Sequence, residues 1–283
     1  VYYIALGQIP GVGNIIAKNL VAYVGSAEGV FKESNKNLQK IPKVGPIIAE
    51  TICNSQTLDK AYSEITFIEK YNIKALVYNS EDYPYRLKEC DDAPVVLFVK
   101  GNCDLNARKS IALVGTRNAT SYGKEMSKQI VSALKPHDAL IVSGLAYGID
   151  IAAHKAALEN GMHTAAVLVN ALDTIYPADH KDFAKDIAQS GALVSELCHG
   201  TPTDKSSFVK RNRIIAGLTD ATIVVESGIK GGALITTEYA NSYNRDVFAI
   251  PGKSTDKYSQ GCNDLIKKNK AALIESVSDI EYM

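Results

Sequence analysis

Three times in this chain an apolar run closes on a small, glycine-bearing turn: IALVGTRNATSYG (111–123), ALIVSGLAYGID (139–150) and TIVVESGIKGGA (222–233). In a parallel α/β sheet, strand ends that feed helices open on one edge, where backbone N–H groups and helix N-termini attract anions. Three such turns imply one phosphate-binding surface. None of them reads G-x-G-x-x-G. The strand ALIVS, roughly 20 residues beyond the first turn, ends in Ser143 rather than in the acidic residue that holds a ribose. The surface is therefore expected to take phosphates without being an ordinary NAD site, and no cofactor is expected.

Further apolar runs at 164–169, 192–195, 247–250 and 272–274 read as strands, together with 111–115, 139–143 and 222–226. The stretches near 121–135, 146–160, 179–190, 211–217 and 231–243 read as helices. Strands alternating with helices at these spacings predict an α/β fold, a doubly wound and mostly parallel sheet covered on both faces. With 283 residues and 46% hydrophobic content, the chain has enough material for one large domain and a small one. The expected division is 1–62 and 63–283.

The small unit repeats itself. IPGVGNIIAKNL (9–20) returns 32 residues later as IPKVGPIIAETI (41–52), the pattern of a helix-hairpin-helix. Either the turn N–H groups grip a DNA phosphate, or the hairpins serve only to pack a small helical domain. Lys43 and Pro46 in the second copy, where glycine and a free N–H are wanted, favour packing. Residues 61–110 read as a joint: a helical stretch at 61–71, strands at 73–80 and 94–101, and a proline-bearing turn between them. Tyr78, Tyr83 and Tyr85 in it either stack bases or fill the core with their polar tips at the surface.

The turns carry candidate chemistry. Gly115 allows close backbone approach, Thr116 and Ser121 offer hydroxyls, and Arg117, beside Asn118, offers a planar fork to phosphate oxygens unless it pairs with a nearby acid. In the second turn Ser143, Gly144 and Gly148 precede Asp150 and His154, which share one helix face. With no nucleophile beside them, a hydrogen bond that fixes the loop is favoured over an acid–base pair. KSSFVKRNRIIAGL (205–218) places Lys205, Lys210, Arg211 and Arg213, with Phe208 and Asn212, in nine residues without an acid. Cations for phosphates and a ring for a base suit a single strand, while Arg211 or Arg213 turned inward would pair with Glu196 or Glu226. Successive helical residues cannot all face one groove, so both arrangements are expected together. Lys230, Gly231 and Gly232 open the last helix. Glu238 on it, with Arg117 or Arg211, is the pair to examine for cleavage of a nucleotide N-glycosidic bond.

The 31 basic and 31 acidic residues cancel, so any nucleic-acid site must be local. Cys53, Cys90, Cys103, Cys198 and Cys262 show no C-x-x-C spacing and read as buried free thiols, with no metal site expected. No run reaches the roughly 18 apolar residues of a membrane span. The N-terminus lacks the pattern of a signal peptide, so a cytoplasmic location is expected.

Together, VGTRNATSYG, SGLAYGIDIAAHKAAL, ALDTIYP, SELCHGTP, RNRIIAGL, GGALITTEYA and FAIPG stand in an order that resembles the DprA (Smf) family of DNA-processing proteins. The resemblance covers nearly the whole chain. It implies an extended Rossmann-like domain after a helix-hairpin-helix (SAM-like) unit, with a C-terminal winged helix that is absent or cut off here. It also implies binding of single-stranded DNA and help in loading the RecA recombinase during natural transformation, as a homodimer and without catalysis. Gly115, Thr116 and Arg117 match the family's DNA-contacting turn, and Arg211-Asn212-Arg213 match a family hallmark. The chain departs from the family pattern at Ala171, at Val209, at residues 227–230 and at Ala178, where a lysine is frequent and Lys181 is the nearest replacement.

Overall fold

The computed structural model describes residues 1–280. Its strands are β1 (Lys74–Val77), β2 (Val96–Gly101), β3 (Ser110–Gly115), β4 (Leu140–Ser143), β5 (Thr164–Val167), β6 (Ala192–Ser195), β7 (Ala221–Glu226), β8 (Asp246–Ala249) and β9 (Ala272–Leu273). Among the described residues they form one nine-stranded sheet in the order β1-β2-β6-β5-β4-β3-β7-β8-β9. Every neighbouring pair from β6 to β9 is parallel, whereas β1–β2 and β2–β6 are antiparallel. Every residue of β4, β5, β6 and β7 is buried, which is why their sequences run apolar with little alternation. From β3 the chain winds outward through β4, β5 and β6, then returns to the other side of β3 as β7. The order reverses there, and ligands of open α/β sheets bind beyond the carboxyl ends of the strands at that point. The three glycine turns follow β4, β3 and β7, three adjacent strands.

Six helices precede the sheet: α1 (Tyr2–Gly7), α2 (Asn14–Val24), α3 (Ala27–Lys32), α4 (Asn35–Leu38), α5 (Pro46–Cys53) and α6 (Thr57–Tyr71). Their core, including Leu6, Leu20, Val30 and Leu38, continues into Val96 and Phe98 of β2. The boundary expected at 62/63 falls inside α6, one uninterrupted helix of 15 residues, because helical unit and sheet share that core. The repeat appears as the glycine-led starts of α2 and α5. Lys43 (φ 66°) adopts the same left-handed backbone as Gly11 (φ 82°), and Pro46 occupies the first helical position, where no N–H is needed. The substitutions that looked unfavourable in the second copy are thus accommodated.

After α7 (Tyr85–Lys88) in the joint come α8 (Ser121–Leu134), α9 (Ile149–Glu159), α10 (Lys181–Ser190), α11 (Lys205–Gly217), α12 (Gly232–Ser242) and α13 (Gln260–Lys267). Helix α13 is not among the helices expected from the sequence. The helix expected from 211 begins at Lys205 because Asp204 caps it: its carboxylate accepts from the Ser207 N–H at 3.0 Å, and the Ser207 hydroxyl accepts from the Asp204 N–H at 3.2 Å. The helix expected from 146 begins at Ile149, because Leu145 (φ 59°) and Gly148 (φ 81°) hold the preceding turn in left-handed backbone.

In the joint, buried Tyr83 donates its hydroxyl to the Pro94 carbonyl at 2.6 Å and meets Tyr78 edge-on, while Tyr85 is exposed beneath Arg86. Tyr78 and Tyr83 fill the core while Tyr85 stays at the surface, so the three do not form a base-stacking row. Arg86, itself buried, donates to Asp220 at 2.6 Å and to the Ala107 and Arg108 carbonyls, tying the joint to the start of β3. Cys90 and Cys262 are buried, and burial pushes their thiols up to about 11 and about 12. Cys53 is exposed, against expectation. Among the described residues no helix is long and apolar enough to cross a membrane.

Candidate nucleic-acid interface

A cavity of about 570 Å³ opens beyond the carboxyl ends of β3 and β7. Gly115, Thr116, Arg117 and Asn118 of the first turn form one wall. The turn is held from behind by Glu226, the last residue of β7, whose carboxylate is buried and accepts from Thr120 N–H at 2.9 Å and Thr120 hydroxyl at 2.5 Å. Thr120 in turn caps α8 by accepting from the Gly123 N–H, and Ser121, whose hydroxyl was expected at the phosphate site, lies off the cavity. Arg117 is exposed, with its guanidinium 4.8 Å from the centre of the Phe208 ring of α11. No acid pairs with it among the described residues.

The second turn supports the cavity more than it lines it. Ser143 is fully buried and donates its hydroxyl to the Leu113 carbonyl at 2.6 Å. Gly148 passes so close to the Thr116 and Arg117 backbone that a Cβ would overlap it, and its positive φ excludes most side chains besides. Gly144 lies against the guanidinium of Arg211, where a Cβ would collide. Arg211 is buried: it donates to the Gly144 carbonyl, to the Val167 carbonyl at 2.5 Å and to Asn212 at 3.2 Å. Desolvation pulls its pKa down to about 10 despite the opposing charge of Asp150. Asp150 accepts from the Ala146 N–H at 3.4 Å, and burial raises its pKa. His154 bonds instead to Thr164 at 2.7 Å, and burial drives its pKa down to about 3. The two are loop-fixing groups and not an acid–base pair.

The third turn closes the opposite wall with exposed Lys230, followed by Gly231 and Gly232 at the start of α12, which has no side-chain cap. Lys257 and Tyr258, neither of them among the residues expected from the sequence, also line the cavity. They come from the loop after β8, which is fastened to the third turn by Ser227 N–H donating to the Tyr258 carbonyl at 2.6 Å. The signal lay in FAIPGKSTDKYS, a fourth strand end on the same edge. Glu238 is exposed on α12 and lies off the cavity, so it is not brought to Arg117 or Arg211 there.

Helix α11 divides its residues between two sides. Phe208, Arg211 and Asn212 face the cavity, and Asn212 donates to the Gly232 carbonyl at 3.1 Å. Lys210 and Arg213 face a separate cleft against the helical unit, where Arg213 pairs with Glu196 and donates to the Asp92 carbonyl at 2.7 Å. Arg213 is therefore the inward-paired arginine. Arg211 is buried too, but on carbonyls, since Glu226 is taken by Thr120.

The arrangement is a polar cleft with exposed cations on two walls, an accessible ring between them and a rigid floor. Residues 74–283 match the family model for DNA recombination-mediator protein A. The chain belongs to that family. It is 44% identical over 198 residues to the DNA processing protein DprA of Streptococcus pneumoniae, covering 70% of each chain. With the Smf protein of Synechocystis it shares 34% identity over 277 residues, covering 96% of this chain and 70% of the relative. The X-ray structure of S. pneumoniae DprA superposes with a TM-score of 0.83 at 34% identity, covering 100% of this chain and 97% of that one. The Helicobacter pylori DNA processing protein A, solved for its single-stranded DNA binding mode, gives 0.67 at 29% identity over 74% of this chain and 94% of that one. The resemblance read from the ordered motifs and the Rossmann-like α/β class are thereby shown.

Proposed function

We propose that this protein binds single-stranded DNA in the cavity beyond β3 and β7, protects it, and helps load the RecA recombinase as a homodimer during DNA uptake. One observation carries the reading: exposed, unpaired Arg117 is held against Phe208 at the mouth of a cavity whose far wall carries Lys230 and Lys257. Cations on both walls suit a run of phosphates, and an accessible ring suits unpaired bases, whereas duplex DNA presents no free base face. Stacking and phosphate contacts do not depend on base identity, so binding is sequence-tolerant. The role is one of holding and handing over, with no bond made or broken. Relatives named as DNA processing proteins, and one solved for its single-stranded DNA binding, support it.

Fluorescence anisotropy with single-stranded and duplex DNA of equal length, at two salt concentrations, tests the reading. Single strands bind more tightly, and salt weakens them steeply through counterion release. Equal affinity for the two, or binding untouched by Arg117→Ala, sinks it. For the hand-over, the protein shortens the lag before RecA hydrolyses ATP on single strands coated with a single-strand-binding protein. Release of free base from nucleoside monophosphates, abolished by Glu238→Gln, would overturn the non-enzymatic role.

A further inference from the structure

The 168–177 loop that joins β5 to α10 runs from a small pocket beside the main cleft to a second, larger cavity. Tyr176 lines the small pocket, which shares Arg117, Phe208 and Arg211 with the main cleft, and its ring is edge-on to Phe208 at 5.7 Å, so that Arg117, Phe208 and Tyr176 form one row. Leu172 and Ile175 of the same loop line a second cavity of about 500 Å³, between the end of α6 and α10. Lys74, Lys100, Lys181 and Lys185 also line it, and among the described residues no acid does. In a chain with equal numbers of acids and bases this is a local surplus. Lys185 shares its charge with Asp182 at 2.8 Å, whereas Lys74, Lys100 and Lys181 form no ion pair among the described residues. Ammonium groups gathered around one cavity repel each other, and an anion relieves that repulsion. The wall also carries Tyr71, 44% exposed, with Lys70 at 5.3 Å and Lys100 at 5.9 Å from its ring centre.

The geometry points to a second nucleic-acid subsite: a single strand leaving the main cleft past Phe208 and Tyr176 crosses the 168–177 loop and enters this groove. Its phosphates then meet Lys100 and Lys181, and a base stacks on Tyr71. Cations beside an exposed ring are the pairing by which proteins follow a single strand, and the loop that runs from the Phe208–Tyr176 contact to Leu172 supplies the path. The inference rests on the single-strand reading of the main cleft and extends the strand's path beyond it.

Oligothymidylates of increasing length, titrated against the whole protein and a Lys100→Ala/Lys181→Ala variant, test it. For the unaltered protein, affinity climbs in two stages as the oligomer first fills the cleft and then reaches the groove. The double variant keeps the first stage and loses the second, binding the longest oligomer roughly tenfold more weakly, as expected from the loss of two charge contacts. Its salt slope falls by about 1.4, from about 0.7 per phosphate contact on a single strand. The Lys100→Gln/Lys181→Gln pair, which keeps polar side chains, gives the same result, and photo-crosslinking to Tyr71 appears only with the long oligomers. Wild-type affinity and slope in the double variant at every length, or equal loss at every length, overturns the groove and leaves the main cleft standing. Unchanged binding of every length by Arg117→Ala overturns the cleft reading itself.

Discussion

Arg117 and Arg211 line the same cavity and are built in opposite ways. Arg117 is exposed, has no acid partner among the described residues and rests on a ring. Arg211 is buried, with its donors spent on the carbonyls of Gly144 and Val167 and on Asn212. The first can give its fork to a phosphate without losing a bond; the second would have to abandon the loop it holds. A cation's availability is decided by how many acceptors the fold has already placed around it, and the local density of charge in the sequence says little about that.

Truncating the two arginines should separate fold from binding. Arg211→Ala leaves carbonyls unmet and Asp150 buried without its counter-charge, at a cost of about 3–5 kcal/mol in urea denaturation; a loss below about 1 kcal/mol would erase the contrast. Arg117→Ala should leave the urea midpoint unchanged and weaken single-strand affinity by about 2 kcal/mol, the worth of hydrogen bonds to a charged group, as read by anisotropy. His154, beneath Arg211, probes the same buried side. Unfolded, it takes up a proton below about 6.5; folded, burial and the Arg211 charge keep it neutral down to about 3. The unfolded chain therefore binds more protons across that window. Stability is full above pH 6.5 and falls by about 1.4 kcal/mol per pH unit as pH drops toward 3. Asp150, with its raised pKa, protonates earlier in the folded chain and offsets part of the fall. Urea midpoints at pH 7 and pH 5 should differ less in His154→Gln than in the unaltered protein. Last, Phe208→Leu keeps an apolar contact for Arg117 but removes the stacking face, lowering affinity by about 1 kcal/mol with little change in salt slope.

What the sequence made legible follows from locality. Doubly buried strands must be apolar, and glycine turns must follow them, so the parallel sheet and the first and third walls of the cavity were readable from runs and punctuation. The four cations of 205–213 were readable as charge, but their direction was not. Whether Arg211 meets solvent depends on carbonyls of β5 and the second turn, 44 and 67 residues away in the chain. For the same reason Ser143 and Gly148 read as ligand groups, although the structure uses them to hold backbones together. Lys257 carries no such signal because its loop lacks a glycine-rich signature, and the role of Thr120 is set by Glu226, more than a hundred residues on.

Helix α6 has a mechanical consequence. It begins in the helical unit and ends at Tyr71 on the groove wall, and on the way Glu64 takes the N–H and ring of His199 while Phe67 stacks on that ring at 4.6 Å. Leu172, in the loop at the groove, packs into the same core. Both banks of the lysine groove are thus moored to one hydrophobic mass. The groove is built as a slot of set width instead of a jaw, and tension on a strand drawn through it, as proposed, would be borne by that whole mass.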